Sequence, residues 1–224
     1  MEPVYRYVAL LDILGYRHHL ECDRESGTLD FQNKLSTALR VFDTVNETVF
    51  RVQAISDTII ITCVGHQNFP DFLVLLRKVF LAFLDQGLFV RGGIAYSRHF
   101  QTNHLTYSHA LARAYEIESK LAVYPRIIID ENIVRMYEAG SGLPQISSSG
   151  MLCLENGIFF LDILTKENWS KVQASAKAIY DANAQAIQAD ETAYTKYLRF
   201  ERYLLSSPHA PSGAFRFTGA IASV

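Results

Sequence analysis

The feature that most constrains the fold is an apolar run near the start of the chain that ends on one carboxylate. Residues 4–11 are nearly all apolar, Asp12 follows them, and Gly15 comes three positions later. Such a run is typical of a strand buried on both faces, and glycine permits the turn that must follow it. We therefore expect Asp12 to project from the end of a central strand.

A second carboxylate of this kind lies in a predicted hairpin. Residues 50–55 and 58–64 have the composition of two strands, and they turn at Ser56-Asp57. If both strands are central, Asp12 and Asp57 converge at one end of the sheet. Mg²⁺ is usually held by one or two carboxylates together with substrate phosphates. The pair predicts a divalent-metal site for phosphate chemistry, whereas either Asp alone is equally consistent with a residue that only caps its own turn.

The residues after Asp12 offer a place for phosphates. The backbone N–H groups of Leu14, Gly15 and Tyr16 are expected to open the next helix. A helix N-terminus attracts anions because its first amides have no partner within the helix and the dipole is positive there. A triphosphate at this helix would lie beside the carboxylates, so the predicted metal and phosphate sites adjoin.

The rest of the chain alternates helices and strands, which indicates an α+β class. The polar segments 97–106 and 140–150 are predicted to be loops, and the end of the chain, 208–224, to be a small polar tail. With 224 residues we expect one domain, comprising a core over about 4–165 and C-terminal helices and tail over about 166–224. Helices are predicted over 29–49, 71–85, 107–121, 130–139 (with Asp130 as its cap) and, as a pair, 166–206; further strands are predicted over 88–96, 126–129 and, as a hairpin, 151–163.

Charge and cysteine content narrow the possible partners and setting. The net charge of −2 gives no electrostatic reason to expect binding to nucleic acid. The three cysteines, Cys22, Cys63 and Cys153, are far apart and match neither a zinc spacing nor a disulfide framework. We expect a reducing, cytoplasmic setting.

The chain also lacks the pattern of a membrane protein. It opens on Met1-Glu2-Pro3, which is not the basic start of a signal peptide. The longest apolar segment, 72–84, is interrupted by Arg77-Lys78 and is too short to span a bilayer. We expect a buried helix there and no membrane span.

The order of these motifs resembles the catalytic domain of class III nucleotidyl cyclases. Residues 12–16 read Asp-Ile-Leu-Gly-Tyr, a helix and the Asp-bearing hairpin follow, and residues 91–95 read Arg-Gly-Gly-Ile-Ala after a further helix. The match covers about residues 4–130. The resemblance implies a ferredoxin-like βαββαβ core with an additional C-terminal hairpin and helices.

The resemblance also implies a metal site and a partner. In that family two divalent ions, Mg²⁺ or Mn²⁺, are bound by the residues that correspond to Asp12, the carbonyl of Ile13, and Asp57. The substrate is a nucleoside triphosphate. The family forms dimers head to tail, so the resemblance implies a homodimer with its sites at the subunit interface.

The chain departs from the family at the groups that stabilise the transition state. Family members carry Gly-x-x-x-Asn-x-x-x-Arg on a helix, and the alignment places Leu111 and Tyr115 at the Asn and Arg positions. Neither supplies a fixed cation. Arg113, Arg91 and Arg98 are the alternative cations, and each is also consistent with an ordinary solvated or ion-paired arginine.

These departures resemble one subgroup, the pyrimidine cyclases of the bacterial Pycsar anti-phage system. Residues 110–118 read Ala-Leu-x-x-Ala-Tyr-x-x-Glu, and residues 124–127 read Tyr-Pro-Arg-Ile. This resemblance implies conversion of UTP, or of CTP, to the 3′,5′-cyclic monophosphate and pyrophosphate. It further implies that a separate effector detects the cyclic product during defence.

The same alignment identifies candidate base-binding residues. Gln53 and His104 stand where purine cyclases place a Lys and an Asp, and Arg51 shares a strand face with Gln53. A solvated loop histidine and an ordinary hairpin glutamine are the alternatives.

Three other functions remain open from the sequence. The losses at Leu111 and Tyr115 are equally expected of a non-catalytic, cyclase-like domain that binds nucleotide or acts as a scaffold. A purine cyclase and another two-metal nucleotidyl transferase are the remaining alternatives.

Overall fold

A computed structural model of the chain describes residues 4–102, 104–140, 146 and 149–219. Its first half is a βαββαβ unit in which the two strands of the predicted hairpin sit beside the first strand. The elements are β1 (Val4–Ile13), α1 (Tyr16–Ser26), α2 (Asp30–Leu39), β2 (Phe50–Ile55), β3 (Thr58–Cys63), α3 (Phe69–Asp85) and β4 (Val90–Gln101). Their sheet order is β2-β3-β1-β4, and every neighbouring pair is antiparallel. This is the ferredoxin-like order, so the predicted core is confirmed.

The second half extends the sheet and covers it with helices. Its strands continue the order beyond β4 as β6-β8-β7, while β5 pairs only with the far end of β4. Strand β6 is parallel to β4, and the β7–β8 hairpin is antiparallel. The elements are β5 (Thr106–Ser108), α4 (His109–Leu121), β6 (Ile127–Ile129), α5 (Glu131–Ala139), β7 (Leu152–Glu155), β8 (Ile158–Leu161), α6 (Trp169–Ala182), α7 (Ala184–Ala189) and α8 (Glu191–Ser206).

Strand alternation sends successive side chains of β1 to two different layers. Tyr7, Ala9 and Leu11 face the larger core, which contains residues of α2, α3, α5, α6 and α8. Leu10 faces the opposite layer, where α4 packs across the sheet. Because Asp12 is two residues beyond Leu10, it shares the face of the sheet that α4 covers.

Helix α4 lies close to the sheet because β4 carries a glycine beneath it. A Cβ added at Gly93 would come within 2.6 Å of the Ala114 carbonyl oxygen and 2.8 Å of the Ile117 side chain. Any larger residue would force the helix away from the strand. The glycine therefore sets the depth at which α4 packs.

Several boundaries differ from the sequence-based expectation. The loop predicted over 97–106 is wrong, because β4 continues to Gln101 and then pairs with β5, with His99 opposite Ser108. The helix predicted over 29–49 is shorter than expected: α2 ends at Leu39, and only a 3₁₀ turn over Arg40–Phe42 follows it. Three helices rather than two follow residue 166, because the helical conformation is interrupted at Asn183 and again at Asp190.

Asp130 precedes α5 as the sequence predicts. The Asp130 cap is confirmed, since its carboxylate accepts the Asn132 N–H. Most of the loop predicted over 140–150 and the last part of the predicted tail, 220–224, lie outside the described residues. Across the part of the chain that the structure describes, no helix has both the length and the apolar character needed to cross a bilayer.

Candidate active site

Asp12 and Asp57 lie together at one end of the central strands. The turn between β2 and β3 places Ser56 in the left-handed region at φ 58°, and Asp57 follows it. The Ile13 N–H donates a hydrogen bond of 2.9 Å to the Asp57 carbonyl oxygen. This bond fixes the tip of the hairpin against the end of β1, so the two carboxylates expected to converge are neighbours.

Arg91 is the cation that contacts Asp12. It stands opposite Asp12 in the β1–β4 register, and its Nε donates to Asp12 Oδ2 over 3.0 Å. Its Nη1 donates to the carbonyl oxygen of Ala122 over 3.1 Å at the end of α4. The guanidinium is therefore held from both the strand and the helix.

A third carboxylate, Glu118 of α4, also belongs to the cluster. It is buried, and its Oε1 lies 2.7 Å from Arg91 Nη2. This contact is an ion pair without directed hydrogen-bond geometry, because Oε1 has no hydrogen-bond partner within the described residues. Sequence reasoning missed Glu118, although it follows Ala110, Ala114 and Ile117 on the buried face of the helix, where an acidic residue is unusual.

The electrostatics of the cluster are dominated by burial. Burial raises the pKa of Asp12; the hydrogen bond from Arg91 offsets part of this effect, and the nearby charge of Asp57 adds to it. Burial also raises the pKa of Glu118. The charge of Arg91 lowers this pKa, and the charges of Asp12 and Asp57 raise it further. Asp12 and Glu118 thus share one guanidinium, and burial makes the ionised form of each carboxylate less favourable.

The oxygen donors present fit a hard divalent cation. Asp12 Oδ1, the Asp57 carboxylate and the main-chain oxygen of Ile13 belong to the class of ligands that Mg²⁺ and Mn²⁺ accept. Added positive charge would favour the ionised form of Asp12, whose pKa is raised mainly by burial and further by the charge of Asp57. Throughout the described ranges no group of three or more His, Cys, Asp or Glu residues is suited to hold a metal, so water and phosphate oxygens would have to complete the coordination.

Helix α1 begins beside these carboxylates with a free N-terminus. Gly15 precedes it at φ 77°, a conformation that glycine adopts without strain. No side chain caps the helix and its first turn carries no acidic residue. The Tyr16 ring packs edge-on against Phe31, with 5.2 Å between the ring centroids, so only the backbone of Tyr16 is directed to an anion at this end.

Arg113 and Arg98 do not join the carboxylate cluster. Arg113 Nε lies 2.9 Å from Asp130 Oδ2, and its Nη1 lies 2.9 Å from Glu116 Oε2. Both partners raise the pKa of Arg113. Arg98 is exposed and pairs in register with Tyr5, at the opposite end of β1 from Asp12. Of the three candidate arginines, Arg91 is the one placed at the carboxylates.

The residues at the family's Asn and Arg positions have different settings. Tyr115 is 60% exposed on the outer side of α4. Leu111 is half-buried against the smaller core under α4. Among the described residues, no hydrogen bond connects Tyr115 or Leu111 to Asp12 or Asp57.

The candidate base-binding residues form a separate group on the hairpin. Arg51 and Gln53 are exposed on one face of β2 and line a groove of about 1040 Å³. Gln53 Oε1 accepts a hydrogen bond of 3.2 Å from Gln101 Nε2, at the end of β4. His104 follows in the exposed turn, where its main-chain N–H donates to Thr102 Oγ1 over 3.3 Å. Among the described residues no hydrogen bond or ion pair connects this group to the carboxylates.

Comparison with known proteins gives distant structural matches. No protein-family model matches the chain, and no curated protein matches it. A bacterial light-regulated adenylyl cyclase superposes with a TM-score of 0.45 at 14% identity, over 60% of this chain and 46% of that chain. The adenylate/guanylate cyclase/hydrolase of Silicibacter pomeroyi gives 0.47 at 11%, over 72% and 99%. The monomeric guanylyl cyclase domain of a rhodopsin fusion protein from Blastocladiella emersonii gives 0.46 at 12%, over 72% and 96%.

These similarities concern the fold alone. Identities of 11 to 14% and TM-scores of 0.45 to 0.47 describe a distant likeness. The present chain spans less than half of the light-regulated cyclase, at 46% of its length. The chemical features of this chain are the Asp12 and Asp57 carboxylates, Arg91 and the uncapped start of α1.

Proposed function

We propose that the chain is a nucleotidyl cyclase that converts a nucleoside triphosphate to its 3′,5′-cyclic monophosphate and pyrophosphate. The observation that carries the proposal is the junction of Asp12 with Asp57, fixed by the 2.9 Å hydrogen bond from Ile13 N–H to the Asp57 carbonyl. Two carboxylates beside an uncapped helix start supply both cation ligands and phosphate donors. The whole chain is proposed to act as one catalytic unit.

Each part of the site has a separate task. Two bound divalent ions would supply the Lewis acidity that activates the ribose 3′-hydroxyl and neutralises the phosphates. Asp12, the Ile13 carbonyl and Asp57 would hold those ions. The first amides of α1, after Gly15, orient the polyphosphate chain, and Arg91 places a fixed positive charge at the carboxylates.

A pyrimidine substrate is the finer part of the proposal, with UTP favoured over CTP. It is supported by the resemblance of residues 110–118 and 124–127 to pyrimidine cyclases. It is also supported by Gln53 and His104, which can hydrogen-bond a base edge but replace the Lys and Asp by which purine cyclases select their base. Arg51 and His104 would assist at the ribose and the base. A role of the product as an anti-phage messenger read by a separate effector rests on the resemblance alone.

A homodimer would bring the two groups of residues together. Tyr115 on α4 and the Gln53 group on β2 are exposed and do not contact the carboxylates of their own subunit. The surfaces that carry them also expose the apolar side chains of Ile55 and Leu105, at 57% and 56%. Head-to-tail pairing would cover these side chains and place the base group of one subunit at the carboxylates of the other.

Turnover with the four common nucleoside triphosphates tests the proposal. Purified protein and Mn²⁺ are incubated with ATP, GTP, CTP or UTP, and the products are separated and identified by mass. We expect cyclic UMP or cyclic CMP, and we expect Asp57→Asn to abolish it. Asp43→Asn, on an exposed turn away from the site, is the matched control and should leave turnover unchanged. Cyclic AMP or cyclic GMP alone would refute the pyrimidine assignment and keep the cyclase.

A non-catalytic nucleotide-binding domain is the second candidate. It is favoured by one observation: Tyr115 and Leu111 replace the polar pair of the resembled family, and Tyr115 has no hydrogen-bond partner among the described residues. This alternative predicts nucleotide binding without product, and identical behaviour of wild type and Asp57→Asn in the turnover assay. Calorimetric titration shows whether nucleotide binds, and the turnover assay then separates the two candidates.

A further inference from the structure

A cavity of about 350 Å³ lies between the start of α1 and the C-terminal helices. Leu14 and Gly15, from the turn after β1, line one side of it. Lys196 and Tyr197, from α8, line the other. The cavity therefore joins the turn that follows Asp12 to a helix outside the stretch that resembles cyclases.

Lys196 is the one lysine or arginine among the described residues that line this cavity. The side chain is half-buried. Lys171 and Lys177 of the adjacent helix α6 each pair with an aspartate, whereas Lys196 forms no ion pair within the described residues. Its ammonium is thus available to an added anion.

The other polar groups of the cavity do not compete for this cation. Asp190 lines the cavity, but its Oδ1 accepts the N–H groups of Thr192 and Ala193 and so caps α8. His18, His19 and Tyr197 are the remaining titratable side chains of the wall; burial lowers the pKa of His19 and raises the pKa of Tyr197 to about 12. The cavity therefore presents one ammonium group opposite the uncapped start of α1.

We propose that Lys196 binds the polyphosphate chain of the substrate from within the same subunit, across the cavity from the first amides of α1. The identity of the substrate as a nucleoside triphosphate rests on the proposed function, but the phosphate contact does not depend on turnover. An ammonium group at this place offers three donors and a compact charge to phosphate oxygens. The C-terminal helices would then complete the site rather than only cover the core.

Binding of inorganic tripolyphosphate in the presence of Mn²⁺ tests this inference. The affinity is measured by isothermal titration calorimetry on the full chain. We expect Lys196→Ala to weaken tripolyphosphate binding about 10- to 100-fold, as loss of one charge-assisted contact implies. Lys196→Arg should remain within about threefold of wild type, because it keeps the charge.

The control is Arg202→Ala, which removes an exposed cation about 120° around the same helix from Lys196. It should leave the affinity within about twofold, and thermal melting checks that each variant is folded. Equal affinity of Lys196→Ala and wild type, or no tripolyphosphate binding by wild type, would overturn the inference. Lys196-dependent binding in a protein that makes no cyclic nucleotide would instead uphold the phosphate contact and refute the cyclase.

Discussion

Glu118 Oε1 lies 2.7 Å from Arg91 Nη2, while Nε of the same guanidinium lies 3.0 Å from Asp12 Oδ2. Arg91 is therefore shared between a carboxylate at the proposed metal site and a buried carboxylate on α4. A change at Glu118 must act on the site through Arg91, which makes Glu118 a positioning residue.

The first prediction concerns this contact. Glu118→Gln preserves the volume of the side chain but removes its charge, so Arg91 is held less firmly beside Asp12. We expect kcat to fall about tenfold or more with a smaller change in KM, measured with the nucleotide that wild type cyclises. Glu116→Gln, on the exposed side of the same helix, is the control. An unchanged kcat in Glu118→Gln would show that Arg91 needs no support from α4.

The second prediction concerns pH and the stability of the metal-free protein. The pKa of Asp12 is raised in the folded state, mainly by burial, so ionisation of Asp12 opposes folding. Its contribution is most favourable below the pKa of the unfolded chain and is lost as the pH rises through the raised pKa. We therefore expect Asp12→Asn to gain Tm relative to wild type as the pH is raised toward neutral, while losing all turnover.

Thermal melts in a chelating buffer between pH 4 and pH 8 measure this difference. The gain of Asp12→Asn should shrink toward the acidic end, where wild-type Asp12 is protonated. A wild type that is more stable than Asp12→Asn at neutral pH would show that the ion pair with Arg91 outweighs burial.

The third prediction concerns the close approach of α4 to the sheet. A Cβ at Gly93 would meet the Ala114 carbonyl oxygen at 2.6 Å, and main chain cannot yield as a flexible side chain does. We expect Gly93→Ala to cost about 1–3 kcal/mol of unfolding free energy, measured by urea denaturation. Gly219→Ala, where a Cβ meets nothing within 4 Å, is the control and should be nearly neutral.

The fourth prediction concerns the link between α8 and the chain that follows it. Glu201 is 1% exposed, and its carboxylate accepts the N–H groups of Phe217 and Thr218 and the hydroxyl of Thr218. We expect Glu201→Ala to lower stability by about 2–3 kcal/mol, because buried donors lose their acceptor. It should also expose residues 207–219 to proteolysis.

Limited proteolysis followed by mass spectrometry tests the fourth prediction. Glu191→Ala, which removes an exposed carboxylate at the start of the same helix, is the control and should retain the wild-type cleavage pattern. Equal cleavage in Glu201→Ala and wild type would indicate that other contacts, such as the hydrogen bond from Gln173 to the Phe215 carbonyl, suffice to hold the segment.

The sequence predicted the parts of the site that depend on local pattern. Asp12 is identifiable because it ends a buried apolar strand before a turn, and Asp57 because it lies in the turn of a predicted hairpin. The expectation that both preceding strands are central is wrong for β2, which is the exposed edge strand of the sheet. The resemblance to the cyclase family then implied the ferredoxin-like arrangement, in which β1 lies between β3 and β4. Periodicity and turn residues indicate the elements and their ends, but they do not determine which strands pair.

The residues that sequence reasoning missed depend on contacts between distant elements. Glu118 and Lys196 are far from Asp12 in the sequence, and only the fold places Glu118 against Arg91 and Lys196 in the cavity beside Leu14 and Gly15. Arg113 was an expected cation, yet its partner Asp130 becomes apparent only when α5 starts beside α4. The strand pairing of 97–101 was missed because its polar residues gave no alternating apolar pattern, and the ladder with β5 stabilises it instead.

The bond between Ile13 N–H and the Asp57 carbonyl has a consequence for how such a chain can diverge. A single inserted or deleted residue between Asp57 and Ile61 would shift the β1–β3 register by one and turn the hairpin side chains to the other face. Substitutions can accumulate over most of the surface without moving the carboxylates, but changes of length in this short segment cannot. Among homologues of this chain, the spacing of the hairpin should therefore persist after recognisable sequence identity has been lost.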